Sequence, residues 1–90
     1  MKLDTGMGRL GTRDPERAGA VADAAARTPG VELAGLMTHF ATADDPGDAF
    51  FGEQLDRFAA WARPLSARHP GVLLHAANSA ATLRDPASHF

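Results

Sequence analysis

The hydrophobic positions of this chain alternate between two kinds of spacing, which predicts strands and helices in turn. Short apolar runs at residues 1–4, 31–38 and 72–75 are bounded by glycine, proline or polar residues, a pattern typical of buried strands. Residues 14–28 and 51–65 instead carry apolar side chains at helical spacing. The predicted order is therefore β-α-β-α-β, followed by a short tail.

The predicted helices carry recognisable local signals. The first begins at Asp14, an N-cap acid, with Pro15 at the first helical position, and it ends before Pro29. The second has one apolar stripe, formed by Phe51, Leu55, Phe58, Ala62 and Leu65. Glu53 and Arg57 lie four residues apart on a different face and predict a solvated ion pair. Pro64 is expected to end or kink this helix.

Strands that alternate with helices predict parallel pairing with right-handed crossovers. Three parallel strands alone would leave edges and a face uncovered. A complete (β/α)8 barrel takes about 250 residues. We therefore predict an α/β fold in which residues 1–90 form part of a (β/α)8 TIM barrel, with three consecutive parallel strands and two connecting helices. The chain is expected to be an internal piece of such a barrel domain.

The composition argues against several classes of function. A net charge of -2, from 9 basic and 11 acidic residues, gives no basic stripe for nucleic acid. There is no cysteine, which excludes thiolate metal sites and disulfides, and we assign no metal ligand. No apolar run approaches the ~18 residues that a membrane span requires, and no signal peptide is visible. We expect a cytoplasmic protein.

Polar residues collect where the predicted strands end, and in barrel enzymes the active groups lie at the carboxyl ends of strands. The three groups are Asp4, Thr5 and Arg9; Thr38, His39 and Asp44; and His75, Asn78 and Ser79. Three strands that deliver polar groups to one rim form a stronger signal than any single residue. We therefore expect a functional site at this rim.

Each candidate also has an ordinary structural interpretation. His39 and His75 are compatible with core histidines, Arg9 with a surface position, Ser79 with a helix cap and Asn78 with a turn. His69 and His89 stand beside chain breakers and receive no role. Strand alternation places Lys2 and Asp4 on one face. If that face points into the barrel, the Lys2 cation needs an anionic partner.

Three segments resemble alanine racemases in the order that this family shows. They are KLDTGMGRLG at 2–11, GLMTHFATAD at 35–44 and HAANSAATL at 75–83, and the intervening EQLDRF at 53–58 also fits. The resemblance covers essentially the whole chain. It implies a homodimeric parent enzyme with pyridoxal 5'-phosphate (PLP) on a (β/α)8 barrel. That enzyme interconverts L-alanine and D-alanine and so supplies D-alanine for peptidoglycan.

The resemblance also implies individual roles around the substrate and the cofactor ring. Lys2 matches a lysine that is often carbamylated, which turns a cation into an anion able to hold an arginine. Arg9 matches that arginine, which lies near the cofactor ring oxygen and the substrate carboxylate. His39 matches a histidine beside the cofactor that orders the hydrogen bonds around a catalytic tyrosine.

Further roles follow for the third segment. Ser79 matches a ligand of the cofactor phosphate, and Asn78 is assigned to the same cofactor-binding region. His75 and Asn78 also match groups that surround an arginine on the pyridine nitrogen. That arginine belongs to a stretch expected beyond Phe90.

The chain departs from the family in what it lacks. The lysine that anchors PLP is expected upstream, and the second base is a tyrosine, whereas this chain has no tyrosine. We therefore assign no catalytic base here and expect the chain alone to be inactive.

Three alternatives remain open. The first is a serine or broad-specificity amino acid racemase of the same fold. The second is a non-catalytic PLP-binding barrel protein. The third is an interaction fragment without a site, which predicts that Arg9, His39 and Ser79 do not converge on one rim.

Overall fold

Helices and parallel strands alternate in the computed structural model, which describes residues 1–90. The elements are α1 (Pro15–Arg27), β1 (Gly35–Met37), α2 (Phe50–Arg68), β2 (Leu73–His75), α3 (Ser79–Arg84) and a final 3-10 helix (Pro86–His89). No helix is both long and apolar enough to cross a membrane.

Helix α1 forms as its sequence predicts. The Asp14 carboxylate accepts hydrogen bonds from the N–H groups of Glu16 and Arg17, both at 3.0 Å, and so satisfies two donors that the helix leaves free. Pro15 occupies the first turn, where its missing N–H costs nothing. The helix ends at Arg27.

Strands β1 and β2 pair in parallel, with Gly35 opposite Leu73 and Met37 opposite His75. Residues 1–3 lie on the other side of β1. There, the N–H of Leu3 donates to the Met37 carbonyl at 3.0 Å, and the N–H of Met37 donates to the Met1 carbonyl at 2.9 Å. The predicted parallel arrangement of three neighbouring chain segments is therefore confirmed.

The strands are shorter than the apolar runs suggest. Residues 1–3 contribute only isolated bridges. The chain leaves the sheet at Asp4, whose N–H donates to the Thr12 carbonyl at 2.9 Å. The predicted strand at 31–38 is regular only over Gly35–Met37. Its partner β2 begins at Leu73, so most of residues 31–34 have no ladder to join.

One face of the sheet is covered by the helices. Leu36 points to that side and is fully buried with Ala18, Ala22, Phe58 and Ala62. On the opposite face, Gly35, Met37, Leu73 and His75 are exposed or half-buried. We call this opposite side the helix-free face. Burial of the apolar stripes of α1 and α2 against Leu36 and its neighbours holds the fold together.

Of the two outcomes expected at Pro64, an end to helix α2 is wrong. The helix continues to Arg68, and the Leu65 carbonyl accepts a hydrogen bond from the His69 N–H at 2.9 Å. Pro64 lies on the exposed side, while Trp61 and Leu65 are buried. Burial of that stripe offsets the one hydrogen bond that proline removes.

Charged side chains of the helices form contacts at two places. The predicted Glu53–Arg57 pair is present at 2.9 Å, with both side chains about half exposed. A second contact was not expected from the sequence: Asp23 of α1 lies 2.6 Å from the ring Nε2 of His69 and 3.2 Å from Arg68. The hydrogen bond from His69 is the main reason that the pKa of Asp23 is lowered. His69 therefore ties the end of α2 to α1.

The helix-free face predicts self-association of the 90-residue chain. Leu73 is 60% exposed there and Met37 39% exposed, next to the unpaired edge of β2. We expect oligomers in sedimentation velocity, and Leu73→Lys should shift them towards monomer. Val21→Lys, on the outer surface of α1, is the matched control and should leave the distribution unchanged. A monodisperse monomer for the unsubstituted chain would contradict this expectation.

Candidate functional site

The loop after residue 3 is organised by one carboxylate. Asp4 is 8% exposed, and its Oδ1 accepts the N–H groups of Gly6 and Gly8, both at 3.0 Å. Arg13 Nε also donates to Asp4, at 3.2 Å. Gly8 has a φ of 77°, a conformation that favours glycine. The loop that carries Arg9 is thus folded around Asp4.

These hydrogen bonds also keep Asp4 charged. The pKa of the carboxyl is lowered chiefly by the Gly8 N–H, against an opposing effect of desolvation, with further contributions from Gly6 and Arg13. A lowered folded-state pKa means that this contribution to stability is present above the ordinary pKa of aspartate and is lost as the pH falls through the folded value. The charged form of Asp4 therefore stabilises the loop that carries Arg9.

Strand alternation was expected to place Lys2 and Asp4 on one face, but the strand does not extend to Asp4. The chain leaves the sheet after Leu3, and the Asp4 carboxylate binds the loop and Arg13. Lys2 forms a parallel bridge with Met37, which places its side chain with Met37 on the helix-free face. Lys2 is half-buried and forms no ion pair within the chain.

His39, which follows β1, experiences the positive charges of two residues from the first segment. His39 is partly buried, and its pKa is lowered first by that burial and then by the positive charges of Arg9 and Lys2. Arg9 itself is exposed and forms no ion pair within the chain. Burial and the positive charges of Arg9 and Lys2 thus all favour the neutral form of the His39 imidazole.

The third segment contributes His75, Asn78 and Ser79. His75 lies on the helix-free face, with its ring over Gly35: a Cβ built on Gly35 would lie 3.3 Å from Cδ2 of His75. The Oδ1 of Asn78 accepts the N–H of Ala81 at 2.9 Å, and its Nδ2 lies 3.5 Å from the Phe40 carbonyl. This contact joins the start of α3 to the segment that carries His39.

Asn78, rather than Ser79, caps α3. Asn78 has the extended backbone of an N-cap, with φ -88° and ψ 179°, whereas Ser79 is the first helical residue. The Ser79 hydroxyl is exposed and forms no hydrogen bond within the chain, and the N–H groups of Ser79 and Ala80 have no acceptor there either. These three donors remain available at the rim.

A buried polar network lies beneath His39. The hydroxyls of Thr5 and Thr38 are 2.7 Å apart. Gln54, fully buried in α2, donates through Nε2 to Thr5 Oγ1 at 3.0 Å and to the His39 carbonyl at 3.2 Å. Its Oε1 accepts the N–H of Ala41 at 2.8 Å. Gln54 was not predicted from the sequence, although an amide beside the apolar stripe of α2 was the available signal.

Arg84 was also missed. Its guanidinium donates to the carbonyls of Asp45 at 2.7 Å and Asp48 at 3.2 Å, and it lies 4.4 Å from the centre of the Phe51 ring. The loop at residues 42–48 is held in this way. Asp44, a candidate from the sequence, is exposed in that loop and forms no ion pair.

Taken together, the polar groups meet at the carboxyl ends of the three parallel segments. No group of three or more His, Asp or Glu side chains is arranged to hold a metal ion. The arrangement suits an anionic ligand instead, because cations and free N–H donors face the rim.

The coupling between Arg9 and His39 is testable. Arg9→Gln removes a positive charge near the imidazole and should raise the pKa of His39 towards its ordinary value. The measurement is an NMR titration of the His39 ring. Arg27→Gln is the control, because Arg27 is exposed in the last turn of α1 and should leave the His39 titration unchanged. Equal titration curves for Arg9→Gln and the unsubstituted protein would contradict the coupling.

Several curated alanine racemases are similar in sequence to this chain. The chain is 46% identical over 90 residues to alanine racemase of Geobacillus stearothermophilus, covering 100% of the chain and 23% of the relative. It is 50% identical over 91 residues to alanine racemase of Synechocystis sp., covering 100% and 24%. The chain thus spans about a quarter of the length of the curated relatives it matches.

Solved structures agree with the sequence comparison. Alanine racemase of the D-cycloserine producer Streptomyces lavendulae superposes with a TM-score of 0.82 at 39% identity, over 100% of the chain and 24% of that structure. The biosynthetic alanine racemase of Pseudomonas aeruginosa gives a TM-score of 0.82 at 36% identity, over 99% and 23%. The predicted α/β fold, part of a (β/α)8 barrel, is confirmed.

The family model described as "Alanine racemase, N-terminal domain" matches residues 1–90, which is the whole chain. The match includes the loop around Asp4, the segment that carries His39 and the start of α3. This chain belongs to the alanine racemase N-terminal domain family.

Proposed function

We propose that this chain forms part of the active site of an alanine racemase, which interconverts L-alanine and D-alanine with PLP. The observation that carries the proposal is the grouping of Arg9, Lys2 and His39 at the carboxyl ends of the strands, in a chain whose full length matches the racemase family. In the cell, this activity would supply D-alanine for peptidoglycan, in the cytoplasm.

The residues at the start of α3 fit the phosphate of PLP. The Ser79 hydroxyl and the N–H groups of Ser79 and Ala80 lack partners in the chain, and such donors suit phosphate oxygens. Asn78 fixes this turn by capping α3. When bound, PLP supplies an electron-withdrawing ring that eases removal of the α-proton of alanine.

Arg9 is the proposed contact for the alanine carboxylate and the cofactor ring oxygen. Its guanidinium is exposed and unpaired, and a planar guanidinium binds carboxylates in a bidentate manner. The neighbouring His39 stays neutral because of its burial and the nearby cations. A neutral imidazole both donates and accepts a hydrogen bond, so His39 can order the polar groups beside the cofactor without repelling Arg9.

Lys2 is proposed as a carbamylation site. The neutral amine of Lys2 attacks carbon dioxide, a C–N bond forms, and one proton is released to solvent, which leaves a carbamate anion. The half-buried Lys2 has no carboxylate partner, and its positive charge and that of Arg9 both act on His39. The carbamate would replace repulsion between two cations by attraction and so hold Arg9 in place.

His75 and Asn78 are proposed to support the arginine that contacts the pyridine nitrogen of PLP. The His75 ring lies on the helix-free face and forms no hydrogen bond within the chain, so both ring nitrogens are available to such a group. Asn78 stays close to this region through its contact with Phe40. Neither residue takes part in proton transfer in this proposal.

The catalytic bases would come from elsewhere in the parent homodimer. The chain has no tyrosine, and Lys2 matches the family's carbamylated lysine, not the one that anchors PLP. Arg9, His39, Ser79 and Asn78 therefore bind and orient, while the proton transfers at the α-carbon need other groups.

A chimera tests the proposed function directly. This chain replaces the 90 aligned residues of the Geobacillus stearothermophilus racemase. We expect PLP-dependent racemization of alanine by the purified chimera, measured by circular dichroism of the amino acid. A soluble, PLP-loaded chimera without alanine racemization would contradict the proposal. Faster racemization of serine than of alanine would favour the broad-specificity alternative.

Within that chimera, Arg9→Ala should lower kcat/KM roughly 10- to 150-fold, as expected for lost hydrogen bonds to a charged group. The control is Arg17→Ala, because Arg17 is an exposed residue of α1 outside the rim. The measurement is kcat/KM from steady-state kinetics of the chimera and of its two variants. Equal losses in both variants would mean that Arg9 has no specific role.

The 90-residue chain alone should not racemize alanine, because no residue in it is assigned as either base. Incubation of the purified chain with PLP and L-alanine should yield no D-alanine above a protein-free control. Production of D-alanine that depends on both PLP and the chain would overturn the assignment of the bases to other parts of the parent.

A further inference from the structure

Gln54 occupies an unusual place for an amide side chain. It is fully buried in α2, among residues such as Phe51 and Phe58 that form the core. A buried amide is unfavourable unless its groups are hydrogen-bonded. Here Oε1 accepts one hydrogen bond and Nε2 donates two, so the amide is satisfied without water.

The partners of Gln54 show what its amide does. The last sheet-like hydrogen bond of this segment runs from the Thr38 N–H to the His75 carbonyl at 3.0 Å. Beyond Thr38, the His39 carbonyl and the Ala41 N–H find no backbone partner. Gln54 binds both of them. The Gln54 side chain thus takes the place of a neighbouring strand for the backbone of His39 and Ala41.

The same amide reaches a second segment. Nε2 of Gln54 donates to the hydroxyl of Thr5, which also contacts the Thr38 hydroxyl at 2.7 Å. Thr5 directly follows Asp4, the residue around which the Arg9 loop is folded. One buried side chain therefore connects the backbone of His39 to the base of the loop that presents Arg9.

We propose that Gln54 is a positioning residue, which fixes His39 through its backbone and sets its placement relative to Arg9. The inference rests on the proposed function, and it adds a residue of α2 that touches neither the imidazole nor the guanidinium. Loss of the amide would release residues 39–41 from α2 while the apolar contacts of the helix remain.

The main test is Gln54→Met in the active chimera, because methionine has a similar length but cannot form these hydrogen bonds. We expect faster hydrogen exchange of the Ala41 amide, a His39 titration displaced towards the ordinary histidine value, and a loss of kcat/KM of about tenfold. The matched control is Phe58→Leu, a buried substitution in the same helix outside the network. It should lower the melting temperature without moving the His39 titration.

A second pair of variants keeps the test informative if Gln54→Met folds poorly. Thr5→Val removes the hydroxyl at nearly constant shape, while Thr5→Ser retains it. Thr5→Val should displace the His39 titration in the same direction as Gln54→Met, and Thr5→Ser should restore it.

The proposal is overturned if Gln54→Met or Thr5→Val lowers the melting temperature as Phe58→Leu does but leaves the His39 titration and Ala41 exchange unchanged. The NMR measurements need no catalysis, so they report on positioning even if the unsubstituted chimera fails to racemize alanine. Failure of the proposed function and failure of this inference are thereby distinguished.

Discussion

Backbone hydrogen bonding between the parallel segments stops at one end of the sheet, and the rest of the site depends on how the chain replaces it. Past Leu3, Thr38 and His75, the main-chain polar groups no longer find partners in a neighbouring strand. Buried groups left in that state cost about 1–3 kcal/mol each. Four side chains replace the missing partners, and the hydrogen-bonding groups of each match the local backbone.

The chemistry of each of these four side chains matches the backbone groups that it binds. The Asp4 carboxylate accepts N–H groups of a glycine-rich loop, and Asn78 accepts an N–H at the start of α3. Gln54 must both donate and accept, and an amide does both. Arg84 faces only carbonyls, which suits a group that only donates. These four residues hold the rim and leave Arg9, His39 and Ser79 free for a ligand.

The helices were well predicted from the sequence, whereas the site was predicted only in part. Asp14 and Pro15 mark the start of α1 through contacts within one turn, so local sequence suffices. The strand at 31–38 was overpredicted because an apolar run does not reveal where its partner begins. Gln54 escaped prediction because its contacts join residues 13 to 49 positions apart. No local spacing encodes such contacts.

The residues that stabilise the fold and the candidate site residues lie on different faces of the sheet. Gln54 contributes to both groups. Leu36 and the helices form the core on one side, while Lys2 and His75 lie on the other. A substitution such as Phe58→Leu should therefore act on folding alone. Gln54 belongs to the core by burial and to the rim by its hydrogen bonds. Its replacement should change the position of the imidazole, because Gln54 binds the backbone of His39.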